Sequence, residues 1–166
     1  MAEGRRAQAI REARLLLAEE GAISMRRLAD RLGIKAPSLY KHFPDKAGLE
    51  AALIAEGFTE LAAALEGAGD GLPNLLAAYR RWALEHPHLY DLATRQALRR
   101  DLLPEGVEEA AGRPVVVAAG GDPDRARALW ASAHGLIVLE QAERFPPDAD
   151  LDAAWRALAQ AFATTS

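Results

Sequence analysis

Apolar residues along this chain recur three and four positions apart, the spacing of a helix face, and strand-like alternation is absent apart from the short run Val115-Val116-Val117. The first such face, Ala9, Ile10, Ala13, Leu16 and Leu17, predicts a helix over residues 5–20 that Gly21 ends. Ser24 is placed to N-cap a short helix over 25–32, stopped by Gly33. A third short helix follows over 36–42, with Pro37 in its first turn, where a missing N–H costs little. Past the break at Phe43-Pro44, Asp45 caps a long helix over 46–65, closed by the turn Gly67-Ala68-Gly69-Asp70-Gly71. Further helices are predicted over 72–85, 88–100, 105–119, 123–144 and 148–163, each bounded by proline or glycine. Pro114 is expected to kink or split its helix. The fold class is therefore all-α, with about nine helices. Residues 1–47 form a three-helix head and 48–166 a helical body, joined directly by the fourth helix.

Composition narrows the class. Half of the 166 residues are hydrophobic, ample for a buried core. No uncharged apolar stretch reaches the roughly 18 residues a membrane span needs, and no signal-peptide core follows Arg5 and Arg6. There is no cysteine, which excludes disulfides and thiolate metal sites. A soluble cytoplasmic protein with no membrane partner is expected. Net charge is −4, but it is unevenly spread. Residues 1–48 carry ten bases and six acids, a net +4, and the remainder ten bases and eighteen acids, a net −8. All three lysines, Lys35, Lys41 and Lys46, fall within twelve residues. A basic head on an acidic body is what one end facing phosphates requires, although a merely solvated surface gives the same count.

The run from Ser24 to Phe43 carries the chemistry. Ala29 is small where two short helices must cross, and Gly33 accepts the positive φ of the turn between them. Leu28, Leu32, Ile34 and Leu39 form an apolar wedge against the first helix. Lys35, Ala36, Pro37, Ser38, Tyr40, Lys41 and His42 are then left facing outward on a short helix that fits a DNA major groove roughly 12 Å wide. Arg27 and Arg31 are expected to be solvated, and Phe43 to be a core aromatic. The stretch Gly33-Ile34-Lys35-Ala36-Pro37-Ser38-Leu39-Tyr40-Lys41-His42-Phe43-Pro44-Asp45-Lys46, followed by Leu49, resembles the recognition-helix region of TetR-family repressors. The resemblance runs from Arg5 to Lys46, about the first third of the chain. It implies phosphate contacts from Ser24, Tyr40 and Lys46, and base contacts from Arg26, Ala36, Pro37 and Ser38. His42 would meet the DNA backbone or the first helix. Lys35 and Lys41 are assigned to DNA on charge and exposure alone.

The body is similar to one branch of the same family in two places, Trp82-Ala83-Leu84-Glu85-His86-Pro87-His88-Leu89-Tyr90 and Trp130-Ala131-Ser132-Ala133-His134-Gly135-Leu136. Gly135 inside a helix costs roughly 1 kcal/mol against alanine, which points to close approach by another helix or a ligand. Leu129, Ala133, Leu136, Ile137 and Glu140 make one stripe on the eighth helix, and Leu151, Trp155, Leu158, Ala159 and Phe162 another on the ninth. The family resemblance implies that these two helices pair with a second copy; the alternative is that both stripes face the chain's own core. It also implies a palindromic double-stranded DNA operator, symmetric half-sites about 34–36 Å apart, and an effector pocket among helices four to eight. Candidate lining residues are Phe58, Leu61, Tyr79, Trp82, His86, Tyr90, Arg95, Val116, Trp130 and His134. The function implied is a ligand-responsive repressor acting as a homodimer, with a small-molecule effector and no cofactor.

Catalytic patterns are lacking. His86 and His88 do not have helical ligand spacing, Glu108 and Glu109 point apart on a helix, and no phosphate-binding glycine loop occurs. No catalytic or metal residue is assigned, and an enzyme is not expected. A DNA-free helical small-molecule-binding or adaptor module would explain the body but not the head.

Overall fold

The computed structural model describes residues 2–163, with side chains described from residue 4. The described residues form nine α-helices and one 3-10 turn: α1 Ala2–Glu20, α2 Met25–Arg31, α3 Ala36–Leu39, α4 Lys46–Glu66, α5 Leu72–Glu85, α6 Pro87–Thr94, α7 Val107–Ala118, α8 Pro123–Gln141 and α9 Leu151–Ala161, with the turn at Arg100–Leu102 between α6 and α7. Two compact units result. The first takes the chain up to Gly57 together with His86–Val107; the second takes Phe58–Glu85 and the chain from Glu108 onward.

In the first unit α1 packs on α2 and α6, and α2 on α3. Its core is built from Leu28, Leu39, Phe43, Leu49 and Leu53, all essentially without solvent contact. Burying each such side chain contributes roughly 1.5–3 kcal/mol. The predicted α1 face is the buried one: Ala9, Ile10, Ala13, Leu16 and Leu17. Gly33 sits in the α2–α3 turn at φ +65°, a conformation that a side chain would strain. Leu89 of α6 comes so near α4 that a Cβ at Gly57 would lie 3.1 Å from it. Asp45 accepts the Gly48 N–H at 2.8 Å and so starts α4.

In the second unit α5, α8 and α9 pack on one another. Leu75, Leu76, Tyr79, Trp82 and Ala83 of α5 are buried, as are Leu129, Ala133 and Ile137 of α8. Asp122 caps α8 by accepting the N–H groups of Asp124 and Arg125, and Asp150 caps α9 through Ala153 N–H at 2.9 Å.

Several boundaries move inward. The helix expected over 88–100 stops at Thr94, whose hydroxyl donates to Tyr90 O at 2.8 Å. The chain then leaves the helix before the 3-10 turn. The third helix keeps its regular form only to Leu39 and ends in tight turns, with His42 N–H and Phe43 N–H both donating to Leu39 O. The last two helices end at Gln141 and Ala161. Pro114 does not split its helix: α7 runs through it from Val107 to Ala118. The proline forfeits one backbone bond, and the helical residues on both sides carry the rest.

Candidate nucleic-acid interface

The local geometry of α3 follows from one anchor. Leu39 is 0% exposed, pinned in the core of the first unit. At about 100° per residue, that places Pro37 and Lys41 on the opposite face, with Ser38 and Tyr40 on the flanks. Pro37, Tyr40 and Lys41 are exposed accordingly, and Lys35 just ahead of the helix is too. Tyr40 keeps half of its surface in solvent, an uncommon state for an aromatic next to a core leucine. Ala36, Ser38 and His42 are half-buried. Ile34 departs from expectation: it is exposed and does not join Leu28 and Leu39 in the wedge, while Leu32 is only half-buried.

Flanking groups complete the surface. Ser24 N-caps α2, its hydroxyl oxygen accepting Arg27 N–H at 3.5 Å, the long end of a hydrogen bond. Its O–H therefore remains available as a donor. Arg26 is exposed. Lys46, first residue of α4, is half exposed and pairs with Glu50 at 3.1 Å.

Two arginines expected in solvent are exposed, and both also pair with acids of α1. Arg31 binds Glu19 of α1 through two nitrogens, at 2.6 and 2.9 Å, and Glu12 at 2.9 Å. These hydrogen bonds raise the Arg31 pKa above its ordinary value, and the bond from Arg31 lowers that of Glu19. Arg27 pairs with Glu20 at 2.5 Å. The signal for this clamp was present as acids at helical spacing on α1, but only the crossing of α1 and α2 shows which arginine they meet.

The residues assigned to a partner copy are placed differently. Leu129, Ala133, Ile137, Trp155 and Ala159 are buried within the protomer, so these members of the two stripes face the chain's own core. Glu140 is held by Arg80, with the shortest bond at 2.7 Å, and accepts Trp155 Nε1–H at 3.3 Å. Leu136, Leu151, Leu158 and Phe162 are half-buried. The outward side of α8 carries Val138 and Leu139, each 43% exposed, while Trp130, 48% exposed, stands half a turn around the axis from Leu139. Gly135 lies on the side of Val138 and Leu139 with nothing within 4 Å of where a Cβ would stand.

The ten residues assigned to an effector are dispersed over both units. Tyr79 and Trp82 are core residues of α5, while Phe58, Leu61 and Val116 are half-buried. In the first unit His86 holds the N-cap position of α6, Tyr90 is buried, and Arg95 is exposed and paired with Asp91 at 2.7 Å. Trp130 stacks on His134 with ring centres 6.0 Å apart, and burial lowers the His134 pKa. None of the ten lines the cavity of about 1050 Å³ in the second unit, which is walled by the end of α4 and by α5, α7 and α9. Its lining includes Leu76, Arg80, Val117 and Asp152, none of them assigned a role from the sequence, together with Pro114, expected to kink its helix, and Trp155, Ala159 and Phe162, assigned to a partner copy. No periodic signal distinguishes such a wall from ordinary core. Among the described residues no three His, Asp or Glu side chains are placed to hold a metal ion, and no helix is long and apolar enough to cross a membrane.

Comparison with known proteins gives consistent matches. Residues 9–53 match the family model described as bacterial regulatory proteins, tetR family. Residues 72–162, more than half the chain, match the tetracyclin repressor-like C-terminal domain. The uncharacterized HTH-type transcriptional regulator Rv0681 of Mycobacterium tuberculosis is 31% identical over 134 residues, covering 72% of this chain and 61% of that protein. Among solved structures, the candidate regulatory protein SCO4313 superposes with a TM-score of 0.76 at 24% identity, over 97% of this chain and 96% of the other. A "possible TetR family transcriptional regulator" from Streptomyces coelicolor A3(2) gives 0.65 at 27% identity, over 90% of this chain and 78% of that one.

Proposed function

This chain belongs to the tetR family of bacterial regulatory proteins, and from that premise we propose that it is a ligand-responsive repressor that binds a palindromic operator as a homodimer. The observation that carries the reading is α3, anchored inward by Leu39 and offering Pro37, Tyr40 and Lys41 outward. Residues 1–47 are the DNA-binding head. Ala36, Pro37, Ser38 and Arg26 meet base edges, where small side chains allow close approach. Tyr40, Ser24 and Lys46 hold phosphates, and Lys35 and Lys41 add positive charge. His42, half-buried, stays against the head itself or the DNA backbone.

A second copy seats on the outward side of α8. Val138 and Leu139 supply apolar area, and the open space at Gly135 lets a neighbouring backbone approach where a side chain would hold it off. This accounts for a glycine whose helix cost nothing inside the protomer repays. A small-molecule effector acts by binding the DNA-competent and DNA-incompetent states unequally, since equal binding shifts nothing.

The test is selection of bound fragments from the source genome, followed by affinity measured against salt. A regulator retains a small set of palindromic fragments and loses affinity steeply as ionic strength rises. A helical adaptor retains none at any salt, and that result overturns the reading.

A further inference from the structure

The cavity in the second unit has a charge arrangement that says more than its volume. At about 1050 Å³ it lies just above the roughly 300–1,000 Å³ typical of small-molecule sites. Its inner wall is apolar, with Leu75, Leu76, Trp155 and Ala159 all buried. Val117, on the α7 side, is 71% exposed, an apolar residue left facing solvent at the rim.

Each arginine in the wall is already matched. Arg80 is bound by Glu140 through Nε and Nη2 and by Asp152 through Nη1 at 2.5 Å, and its guanidinium lies over the Trp155 ring at 5.7 Å. One cation there meets two carboxylates. Arg113 pairs with Glu66 at 2.6 Å, and Arg156 with Asp150 at 3.3 Å. Asp70 lines the same cavity and has no ion pair among the described residues. The lining itself is balanced, with Glu66, Asp70 and Asp152 against Arg80, Arg113 and Arg156, and the surroundings turn negative only through Glu140 and Asp150 behind the wall, against Arg125 beside Phe162. The unit as a whole points the same way, with thirteen acids against seven bases. An apolar wall set in negatively charged surroundings favours a ligand whose body is apolar and whose charge is positive.

We propose that this cavity binds a small, largely apolar organic cation, with Asp152 as the principal counter-charge and Val117 at the entrance. Asp152 is suited to the part because it is mostly exposed and Arg80 keeps Glu140 when Asp152 turns to a ligand. The proposal deepens the effector part of the reading above and rests on it for its regulatory meaning, not for the binding itself.

Tetraphenylphosphonium and tetraphenylborate have nearly the same size and shape and opposite charge, which makes them suitable probes. Calorimetric titration of the full chain should give saturable binding of the phosphonium, at least tenfold tighter than of the borate. Asp152→Asn should weaken the phosphonium at least fivefold and leave the borate unweakened. Val117→Arg, at an exposed position that the fold tolerates, should abolish phosphonium binding while circular dichroism stays unchanged. Absence of saturable phosphonium binding, equal affinity for the two ions, or binding indifferent to Val117→Arg would overturn the proposal. Dimer contacts occupying the cavity would give that first result together with a second copy that dissociates on Val117→Arg. Operator affinity without any probe tests the regulator reading separately, so the cavity can fail while DNA binding stands, and the reverse.

Discussion

Replacing Lys46 by alanine probes the proposed phosphate contacts most directly, because this side chain stands half exposed at the start of α4 with Glu50 at 3.1 Å as its ion-pair partner. An exposed pair of this i,i+4 kind contributes roughly 0.3–0.5 kcal/mol. A hydrogen bond to a charged group contributes about 1.5–3 kcal/mol. Glu50 therefore does not keep Lys46 from a phosphate when DNA arrives. A symmetric dimer carries the substitution in both heads, so about two phosphate contacts are lost and the slope of log affinity against log salt should become shallower by about 1.8. Raising salt fourfold, from about 50 to about 200 mM, should then shrink the affinity ratio of parent to variant about twelvefold. Fluorescence anisotropy on a selected operator fragment at several salt concentrations reads this directly. Two parallel lines would refute the phosphate role of Lys46, however large their vertical offset. Glu50→Gln should act in the opposite sense, tightening binding at low salt, because it releases Lys46 from a competing partner.

Four further outcomes follow from the same geometry. Changing Pro37 or Ser38 should alter the sequence recovered by operator selection, and an unaltered consensus would remove α3 from base readout. Gly135→Arg should leave the protomer at least as stable, since glycine costs a helix about 1 kcal/mol and nothing lies within 4 Å, yet sedimentation should show monomers; a surviving dimer rejects the α8 face. Ile137→Ala, at a position with 0% exposure, should cost about 2–5 kcal/mol in urea denaturation, and Trp155→Glu should likewise lower stability of the protomer itself; an unchanged midpoint for either would place it outside the core. Burial lowers the pKa of His134 below its ordinary 6.5, so the folded state holds the neutral ring and its contribution is complete above that value. Stability should therefore fall as pH drops through 6.5 toward the depressed pKa, and His134→Asn should flatten that part of the thermal melting profile; an identical profile would deny His134 the role.

The linear order of residues was enough to determine the helices and the head. Spacing of Ala9, Ile10, Ala13, Leu16 and Leu17 marked the buried face of α1, Ser24 and Asp45 marked helix starts, and Gly33 marked the positive-φ turn between α2 and α3. These are local properties, decided within a few residues, and so legible before anything packs. Which way a stripe faces is not local. The stripes on α8 and α9 had the period of an interface and of a core alike, and only the packing of α5, α8 and α9 turned Ile137 and Trp155 inward and left Trp130, Val138 and Leu139 outside. The same holds for Arg31, whose acids come from α1, and for the cavity, whose wall draws on residues from Leu65 to Ala163. It holds for α6 as well, which joins the first unit across a long stretch of intervening chain. A side chain's periodicity states that it shares a face, but its partner is set by how whole helices cross.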